Sequence, residues 1–251
     1  MSAYLATVQM DCSDNIIDNT NTVIRLLKSI KEKEPDTALA VFPEMCIYGY
    51  DNLDKLKINF SQNDFDKCFV KISDVCKEIK LEAFIGAPYF ENNKIFNSLY
   101  FFNTNRDFKK VYSKKHLIDA EINYFSPGNE YGICHTSLGK AGLLICWDSA
   151  YPEEAKHYSD KNVDFVIVSA AWELPYTRQW KLSTATRSFD NHIPLVASNR
   201  IGTDSNCTYL GNSTIYDNIG NTVSAATDMS ECFVTAEFKS LFSDDKNMIK
   251  N

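Results

Sequence analysis

The chain has 251 residues, of which 44% are hydrophobic and 24% charged, and its formal net charge at pH 7 is −7. This length and composition suit a globular chain with a sizeable core and argue against disorder. The negative charge comes with no stripe of Lys and Arg, which argues against a nucleic-acid partner.

The first residues, the lengths of the apolar runs and the cysteines indicate the cellular compartment. The start, "MSAYLATVQMDCSD", has neither the basic region nor the apolar stretch of a signal peptide, and no run reaches the roughly 18 apolar residues of a membrane span. We therefore expect a soluble, cytoplasmic protein with no membrane partner. None of the eight cysteines has Cys-x-x-Cys or zinc-like spacing, so we expect free thiols, most of them buried as small core side chains.

The first half of the chain alternates strands with helices and then forms a hairpin. The apolar runs "YLATVQM" (4–10) and "TALAVFPE" (37–44) predict buried strands. Apolar stripes at helical spacing follow, one containing Ile16, Val23, Leu27 and Ile30 and the other covering 64–80. "EAFIGAPYF" and "KIFNSLYFFN" predict two strands around an Asn-Asn turn, and a further strand ends near Lys114.

The second half repeats the alternation. We predict strands over 141–146 and 165–169, helices over 152–161 and roughly 178–191, a strand in "IPLVASNRIG", a hairpin turning at 218–221, and a last strand over 232–238. No linker or repeat divides the chain, so one domain over 1–251 is expected. The mixture of alternation and hairpins predicts an α/β layered sandwich with mixed sheets rather than a purely doubly wound fold.

Three stretches place a reactive side chain just after a strand, where ligands collect in open α/β sheets. They contain Glu44 in "VFPEMCIYGY", Lys114 in "VYSKKHL" and Cys146 in "LLICWDSAYPEE". Taken singly, each has an ordinary explanation as a cap, a surface basic patch or a core cysteine. Taken together, they supply a base, a cation and a nucleophile, which is what thiol-based acyl transfer requires.

The layout around Cys146 is that of a nucleophile elbow, a sharp turn from strand to helix that exposes one side chain. A helix beginning there would lower the pKa of the thiol and offer backbone N–H groups to an oxyanion. Whether Glu44 and Lys114 converge on Cys146 in space is not fixed by the sequence alone.

These stretches resemble the motifs of the nitrilase, or carbon–nitrogen hydrolase, superfamily. "FPEMCIYGY", "YSKKHL" and "ICWDSAYPE" match its Glu, Lys and Cys motifs. "EINYFSPG", "RSFDNHIPLVASNRIG" and "GNSTIYDNIGN" resemble further family segments, so the likeness covers nearly the whole chain. One departure is Asp190, at a position where the family commonly has Glu.

The resemblance implies a four-layer α-β-β-α sandwich with two central mixed sheets. It implies Cys146 as nucleophile, Glu44 as general base, Lys114 as the cation that stabilises the oxyanion, together with the backbone N–H of Trp147, and Glu121 as an assisting carboxylate. A thioester would form and ammonia or an amine would leave, without a metal or other cofactor. The family also implies a homodimer, or a larger homo-oligomer, that pairs through the outer helices.

The substrate is less determined. Trp147, Tyr50 and Trp172 are candidates for lining the pocket, although each could equally be a packing residue. The segments around Cys146 and 194–202 resemble the branch that cleaves N-carbamoyl amines, and the Trp147-Asp148 pair argues mildly against a true nitrilase. An acidic protein could favour a cationic substrate, but overall charge says little about one pocket.

Three alternatives remain beside hydrolysis of a small linear amide or N-carbamoyl compound. A true nitrilase would use the same thioester, and a non-catalytic binding protein could share the fold. A Cys-His hydrolase would need a base among the four histidines, His116, His135, His157 and His192. Only His116 has a supporting context, and that context is the Lys motif.

Overall fold

Two six-stranded sheets form the centre of the molecule. The computed structural model describes residues 2–205 and 207–242. The first sheet contains, in spatial order, β14 (Cys232–Glu237), β1 (Tyr4–Gln9), β2 (Thr37–Val41), β3 (Glu82–Glu91), β4 (Lys94–Phe102) and β5 (Phe108–Ser113). The second contains β13 (Thr222–Ala225), β12 (Thr214–Tyr216), β9 (Leu195–Asn199), β8 (Phe165–Ala170), β7 (Gly139–Ile145) and β6 (Gly132–Thr136). A separate hairpin joins β10 (Ile201–Thr203) to β11 (Thr208–Leu210).

Both sheets are mixed, and helices cover their outer faces. Strands β1, β2 and β3 are parallel, as are β7, β8 and β9, and the other neighbours are antiparallel. The helices are α1 (Ile16–Lys33), α2 (Leu53–Asn59), α3 (Gln62–Ile79), α4 (Pro152–Asp160) and α5 (Thr177–Asn191). Helices α1 and α3 pack on the first sheet, and α4 and α5 pack on the second. The expected α-β-β-α sandwich with two mixed sheets is confirmed.

The alternation of β2 shows how the two sides of a sheet are used. Leu39 and Val41 point to the cluster between the sheets, whereas Ala40 joins the cluster under α1 and α3. Buried hydroxyl groups tie the two sheets together: Ser169 Oγ donates to the carbonyl of Phe42 at 2.9 Å, and Ser198 Oγ donates to that of Val8 at 2.6 Å. The ends of β2 and β8 are thereby held against each other.

Element boundaries agree with the sequence predictions to within a few residues, with three omissions. The turn at 92–93 is confirmed, and both asparagines adopt the left-handed conformation, with φ of 50° and 62°. Helix α2, strand β6 and the β10–β11 hairpin were not predicted, because elements of three to seven residues carry little periodicity of their own.

Two further expectations concern the whole chain. Within the described ranges, no helix combines the length and the apolar character needed to cross a membrane. The prediction of one domain over 1–251 extends beyond the described residues and stays a prediction.

Candidate active site

Glu44 lies in the loop that follows β2, at the interface of the two sheets. Its side chain is 1% exposed, and the next residue, Met45, has a left-handed φ of 52°. Glu44 Oε2 accepts a hydrogen bond from the backbone N–H of Ala171, just beyond β8, at 2.8 Å. The carboxylate is therefore fixed by the second sheet although it is carried by the first.

Gly86 on β3 provides the room for this loop. A Cβ at position 86 would lie 2.5 Å from the Met45 nitrogen and 2.5 Å from the Pro43 carbonyl oxygen, both of them backbone atoms. A side chain there would push the Glu44 loop away from the sheet.

Replacing Gly86 with alanine is therefore expected to misplace Glu44 more than it disturbs the fold. We expect kcat to fall by about 100-fold, the effect of a shift of roughly 1 Å at a reacting group, with a loss of about 1–3 kcal/mol in the free energy of unfolding. Steady-state kinetics and urea unfolding of the variant test this. An unchanged kcat would show that the loop tolerates the shift.

Lys114 follows β5 and joins two buried carboxylates. Its Nζ donates to Glu44 Oε1 at 2.9 Å and to Glu121 Oε2 at 2.7 Å, and all three side chains are buried. Burial lowers the pKa of Lys114, but the negative charges of Glu44, of an ionised Cys146 and of Glu121 together raise it well above its usual value. Lys114 is therefore a permanent cation.

Two neutral groups complete the cluster. Asn97, on β4, donates from Nδ2 to Glu44 Oε1 at 2.7 Å, to Glu121 Oε1 at 3.0 Å and to the Tyr50 oxygen at 2.9 Å. The Tyr50 hydroxyl donates to Glu121 Oε1 at 2.8 Å. Burial and then the Glu121 charge raise the pKa of Tyr50 well above its usual value, so the phenol keeps its proton and remains a donor.

Cys146 follows β7 in a strained turn. Its φ of 49° lies in the left-handed region, which non-glycine residues rarely adopt and which often marks a functional position. The side chain is only 7% exposed. The expected sharp turn is present, but the segment that follows is a 3₁₀ helix, Cys146–Ala150, and α4 begins only at Pro152.

The surroundings of the thiol do not lower its pKa as a helix N-terminus would. Burial and the negative charge of Glu44 raise the pKa of Cys146 well above its usual value, and the opposing effect of Lys114 is smaller. The sequence suggested a helix dipole at the thiol, whereas the structure surrounds it with protein and carboxylates. With its pKa raised in this way, the Cys146 thiol keeps its proton at neutral pH.

Asp148 ties the Cys146 turn to the Lys114 loop. Its fully buried carboxylate accepts from the backbone N–H of Ile145 at 3.0 Å, from that of His116 at 2.9 Å and from the Tyr112 hydroxyl at 2.8 Å. Burial raises the pKa of Asp148 to about 6, and the three hydrogen bonds oppose this rise. One side chain thus connects the segments that carry the thiol and the ammonium.

Asp148 gives a pH-dependent prediction for stability. Because its pKa is raised from 3.8 to about 6 on folding, its contribution to stability is fully present below pH 3.8 and is lost as the pH rises through 6. Between pH 4.5 and 7.5, the free energy of unfolding of the wild type should fall by about 2 kcal/mol relative to that of Asp148→Asn. Urea unfolding of both proteins measures this difference, and a difference that stays constant or rises with pH would contradict the assignment.

The catalytic candidates face one cavity of about 440 Å³. Glu44, Tyr50, Lys114, Glu121 and Cys146 all line it. A neighbouring cavity of about 520 Å³ also reaches Cys146, and it is lined by Trp147 and Trp172. The rings of the two tryptophans lie 5.4 Å apart, with Trp147 38% exposed and Trp172 buried. The structure thus brings the four predicted catalytic residues together and places the three predicted substrate-binding residues on the walls of the two cavities.

Two of the histidines that a Cys-His hydrolase could use as its base, His116 and His157, have partners other than Cys146. His116 Nε2 lies 2.9 Å from Glu154 Oε1, and its ring stacks on Tyr151 at 3.7 Å. His157 stacks on Tyr131, and neither histidine lines the cavities that reach Cys146. Within 2–205 and 207–242, no group of three or more His, Cys, Asp or Glu side chains could hold a metal ion.

Asn97 and Asp148 were not predicted to belong to the site. Asn97 occupies an ordinary position in a strand, and the strand pattern gives no signal for its contacts. Asp148 belongs to the Cys motif and was used only to distinguish branches of the family. Asp190, by contrast, lies half-exposed on α5, 3.6 Å from Arg187, and does not line either cavity.

Comparison with known proteins assigns the family. The family model described as carbon–nitrogen hydrolase matches residues 4–242. A relative from Schizosaccharomyces pombe, named "Probable nitrilase C965.09", is 33% identical over 92% of this chain and 86% of its own. N-carbamoylputrescine amidase of Solanum lycopersicum is 27% identical over 93% of this chain and 85% of its own, and 2-oxoglutaramate amidase of Bacillus subtilis is 29% identical over 82% and 80%.

Solved structures show the same fold. A carbon–nitrogen hydrolase from Helicobacter pylori superposes with a TM-score of 0.86 at 21% identity, covering 96% of this chain and 91% of that one. The match of the family model over nearly the whole chain agrees with the sandwich and with the motifs around Glu44, Lys114 and Cys146. The chain therefore belongs to the carbon–nitrogen hydrolase family, within the nitrilase superfamily.

Proposed function

We propose that this protein hydrolyses a non-peptide C–N bond in a small linear amide or N-carbamoyl compound through a thioester on Cys146. The observation that carries this proposal is the buried cluster of Glu44, Lys114 and Glu121 on the wall of the cavity that also exposes Cys146. Relatives named as amidases of N-carbamoylputrescine and of 2-oxoglutaramate support the reaction class.

In the first half-reaction, Glu44 takes the proton of the Cys146 thiol as Sγ attacks the carbonyl carbon. The new S–C bond produces a tetrahedral intermediate with a negatively charged oxygen. Lys114 stabilises this oxygen, together with the backbone N–H of Trp147, which lies in the first turn of the 3₁₀ helix where N–H groups lack helical partners. Glu44 then passes the proton to the departing nitrogen, and the C–N bond breaks.

In the second half-reaction, water replaces the amine. Glu44 removes a proton from the water as its oxygen attacks the thioester carbon, and the second tetrahedral intermediate again places its charge near Lys114. Collapse breaks the C–S bond, the proton returns to the sulfur, and the acid leaves. A carbamoyl thioester releases a carbamate, which decomposes to carbon dioxide and ammonia.

The raised pKa of the thiol fits this sequence of proton transfers. Because the thiol is neutral at rest, its proton must move when sulfur attacks, and burial of Glu44 beside Lys114 keeps the acceptor in place. Once Glu44 is protonated, Lys114 faces less negative charge and interacts more strongly with the developing oxyanion. Glu121, oriented by Asn97 and Tyr50, keeps Lys114 in position throughout.

Nitrile hydrolysis is the second candidate, because the relative named as a nitrilase is 33% identical. The same thiol would attack the nitrile carbon to give a thioimidate.

Pairing of two copies through the outer helices stays a prediction from the family resemblance.

Ammonia release from a substrate panel tests the proposal. The panel contains N-carbamoyl amines, N-carbamoyl amino acids, ω-amides of dicarboxylic acids, simple amides and a nitrile. We expect turnover of an amide or carbamoyl compound, loss of turnover in Cys146→Ala, and an acyl adduct on Cys146 detected by mass spectrometry after rapid quenching. Turnover that survives in Cys146→Ala would refute the mechanism, and turnover of the nitrile alone would favour the second candidate.

A further inference from the structure

The cavity in front of Cys146 carries an excess of negative charge. Its described walls contain one ammonium, Lys114, and five carboxylates: Glu44, Asp51, Asp54, Glu121 and Glu173. Lys114 is shared between Glu44 and Glu121 at 2.9 and 2.7 Å, so it does not neutralise the remaining three. Asp51, Asp54 and Glu173 therefore form a separate acidic wall.

Nearby cations are engaged with other carboxylates. Lys55 is adjacent to Asp54 in the chain, yet its Nζ lies 3.5 Å from Asp14. Arg200 packs behind the cavity, where its guanidinium lies 4.1 Å from the ring of Tyr209 and 3.1 Å from Asp204. Tyr209 thus separates the one buried guanidinium in this region of the described chain from the cavity that it helps to line.

The acidic wall is built from both halves of the sandwich. Asp51 and Asp54 lie at the start of α2, and the Asp51 carboxylate accepts from the backbone N–H of Ser205 at 2.9 Å. Glu173 lies beyond the end of β8 and pairs with Tyr209 through an isolated β-bridge. The three carboxylates therefore belong to defined backbone segments on two sides of the cavity.

A second observation points to the same ligand chemistry. Glu173 also lines the neighbouring cavity, where it lies with Trp147, Trp172 and Tyr176. The negative faces of aromatic rings attract cations and not carboxylates. A carboxylate together with aromatic rings, next to an acidic wall, favours a ligand that bears a positive charge.

We propose that the substrate carries an ammonium or guanidinium group at the end remote from the scissile C–N bond, and that Asp51, Asp54 and Glu173 bind this group. The inference rests on the proposed function and specifies its substrate class. The reacting amide or carbamoyl group lies at Cys146, and a short linear chain places the cation against the acidic wall. An anionic substrate end would meet three carboxylates of the same sign.

A matched substrate series tests the proposal. N-carbamoyl compounds with the same linear spacer end in an ammonium, a methyl group or a carboxylate, and kcat/KM is measured by ammonia release. We expect the ammonium compound to exceed the carboxylate compound by at least about 100-fold, and this preference to shrink as salt screens the charges. Equal rates, or a preference for the carboxylate, would overturn the inference and leave the proposed function standing if turnover depends on Cys146.

Variants of the acidic wall locate the contact. Asp51→Asn, Asp54→Asn and Glu173→Gln should each raise KM for the ammonium compound by about 5–50-fold and change KM for the methyl compound by less than about 2-fold. Glu153→Gln, an exposed residue of α4 away from both cavities, serves as the matched control with unchanged kinetics. If all three wall variants behave like the control, the assignment of these carboxylates is wrong.

A binding measurement separates the two proposals if no substrate turns over. Cys146→Ala is titrated calorimetrically with a linear α,ω-diamine and with the dicarboxylate of the same length. Binding of the diamine at least about 10-fold more tightly supports the cationic substrate end even when the reaction class is wrong. Equal binding, no binding of either compound, or tighter binding of the dicarboxylate would overturn it.

Discussion

Replacing Glu44 with glutamine is expected to lower kcat by about 1,000-fold, the typical effect of removing a general base, while the protein stays folded. Glutamine keeps the shape and can still accept from the N–H of Ala171, but it cannot take the thiol proton. Since the pKa of Cys146 is raised by burial, the thiol does not ionise on its own at neutral pH. The measurement is kcat and KM on whichever panel compound the wild type hydrolyses.

Thiol alkylation gives a second readout that does not need the natural substrate. Iodoacetamide should label Cys146 more slowly in Glu44→Gln, as followed by peptide mass spectrometry, because the proton acceptor is lost while burial, the larger cause of the raised thiol pKa, remains. Glu82→Gln is the matched control, since Glu82 is also a buried carboxylate but accepts from Ser137 outside both cavities. A fall in kcat of less than 10-fold, with control-like alkylation, would assign the base to another group.

The parts of the site that follow strands were predictable from the sequence. Glu44, Lys114 and Cys146 each come just after an apolar run, and a reactive side chain in that place is unusual enough to be noticed. Their convergence depends on contacts between the sheets, such as the hydrogen bond from Ala171 to Glu44, which no local pattern encodes. Only the resemblance of the three motifs to the family implied that these side chains meet.

The role of Asn97 and the pKa of Cys146 could not be predicted from local sequence patterns. Asn97 lies on β4 at an alternating position like any other strand residue, and its importance arises because β4 passes beside two buried carboxylates. For Cys146, the turn was predictable from strand and helix signals, but the direction of the pKa shift was not. That direction depends on how much protein surrounds the sulfur and on the charge of Glu44, and both are tertiary properties.

The buried ion cluster of Glu44, Lys114 and Glu121 makes the stability of the protein sensitive to substitutions at this site. Two carboxylates without exposure to water are tolerated because several groups supply donors to them: Lys114, Asn97, Tyr50 and the backbone N–H groups of Ala171 and Ile118. Removing the charge of Lys114 leaves both carboxylates without a cation in a medium that screens charge poorly. Function and stability are therefore coupled at this position more strongly than at a surface ion pair.

Replacing Lys114 with methionine is expected to abolish turnover and to lower the free energy of unfolding by about 3–5 kcal/mol, because it leaves Glu44 and Glu121 buried without a cation. Since the pKa of Lys114 is raised above its usual value, its contribution to stability is fully present below that usual value and is lost only when the pH rises through the folded-state pKa. At pH 7 the wild type therefore has the full contribution of Lys114, and Lys114→Met should show the whole decrease in the free energy of unfolding. Urea unfolding of the wild type and of the variant measures it.

The neighbouring lysine provides the comparison. Lys115 pairs with Glu154 at 2.8 Å, but its side chain keeps some contact with solvent and Glu154 has a second partner in His116 Nε2 at 2.9 Å, so Lys115→Met should cost only about 1–2 kcal/mol. Adding Glu44→Gln to Lys114→Met should recover part of the lost stability, because one of the two unpaired charges is removed. Recovery without any return of turnover would separate the two roles of this cluster, since glutamine relieves the charge imbalance but supplies neither the base nor the cation. Equal costs for the two lysine variants, or no recovery in the double variant, would show that the buried carboxylates do not depend on Lys114.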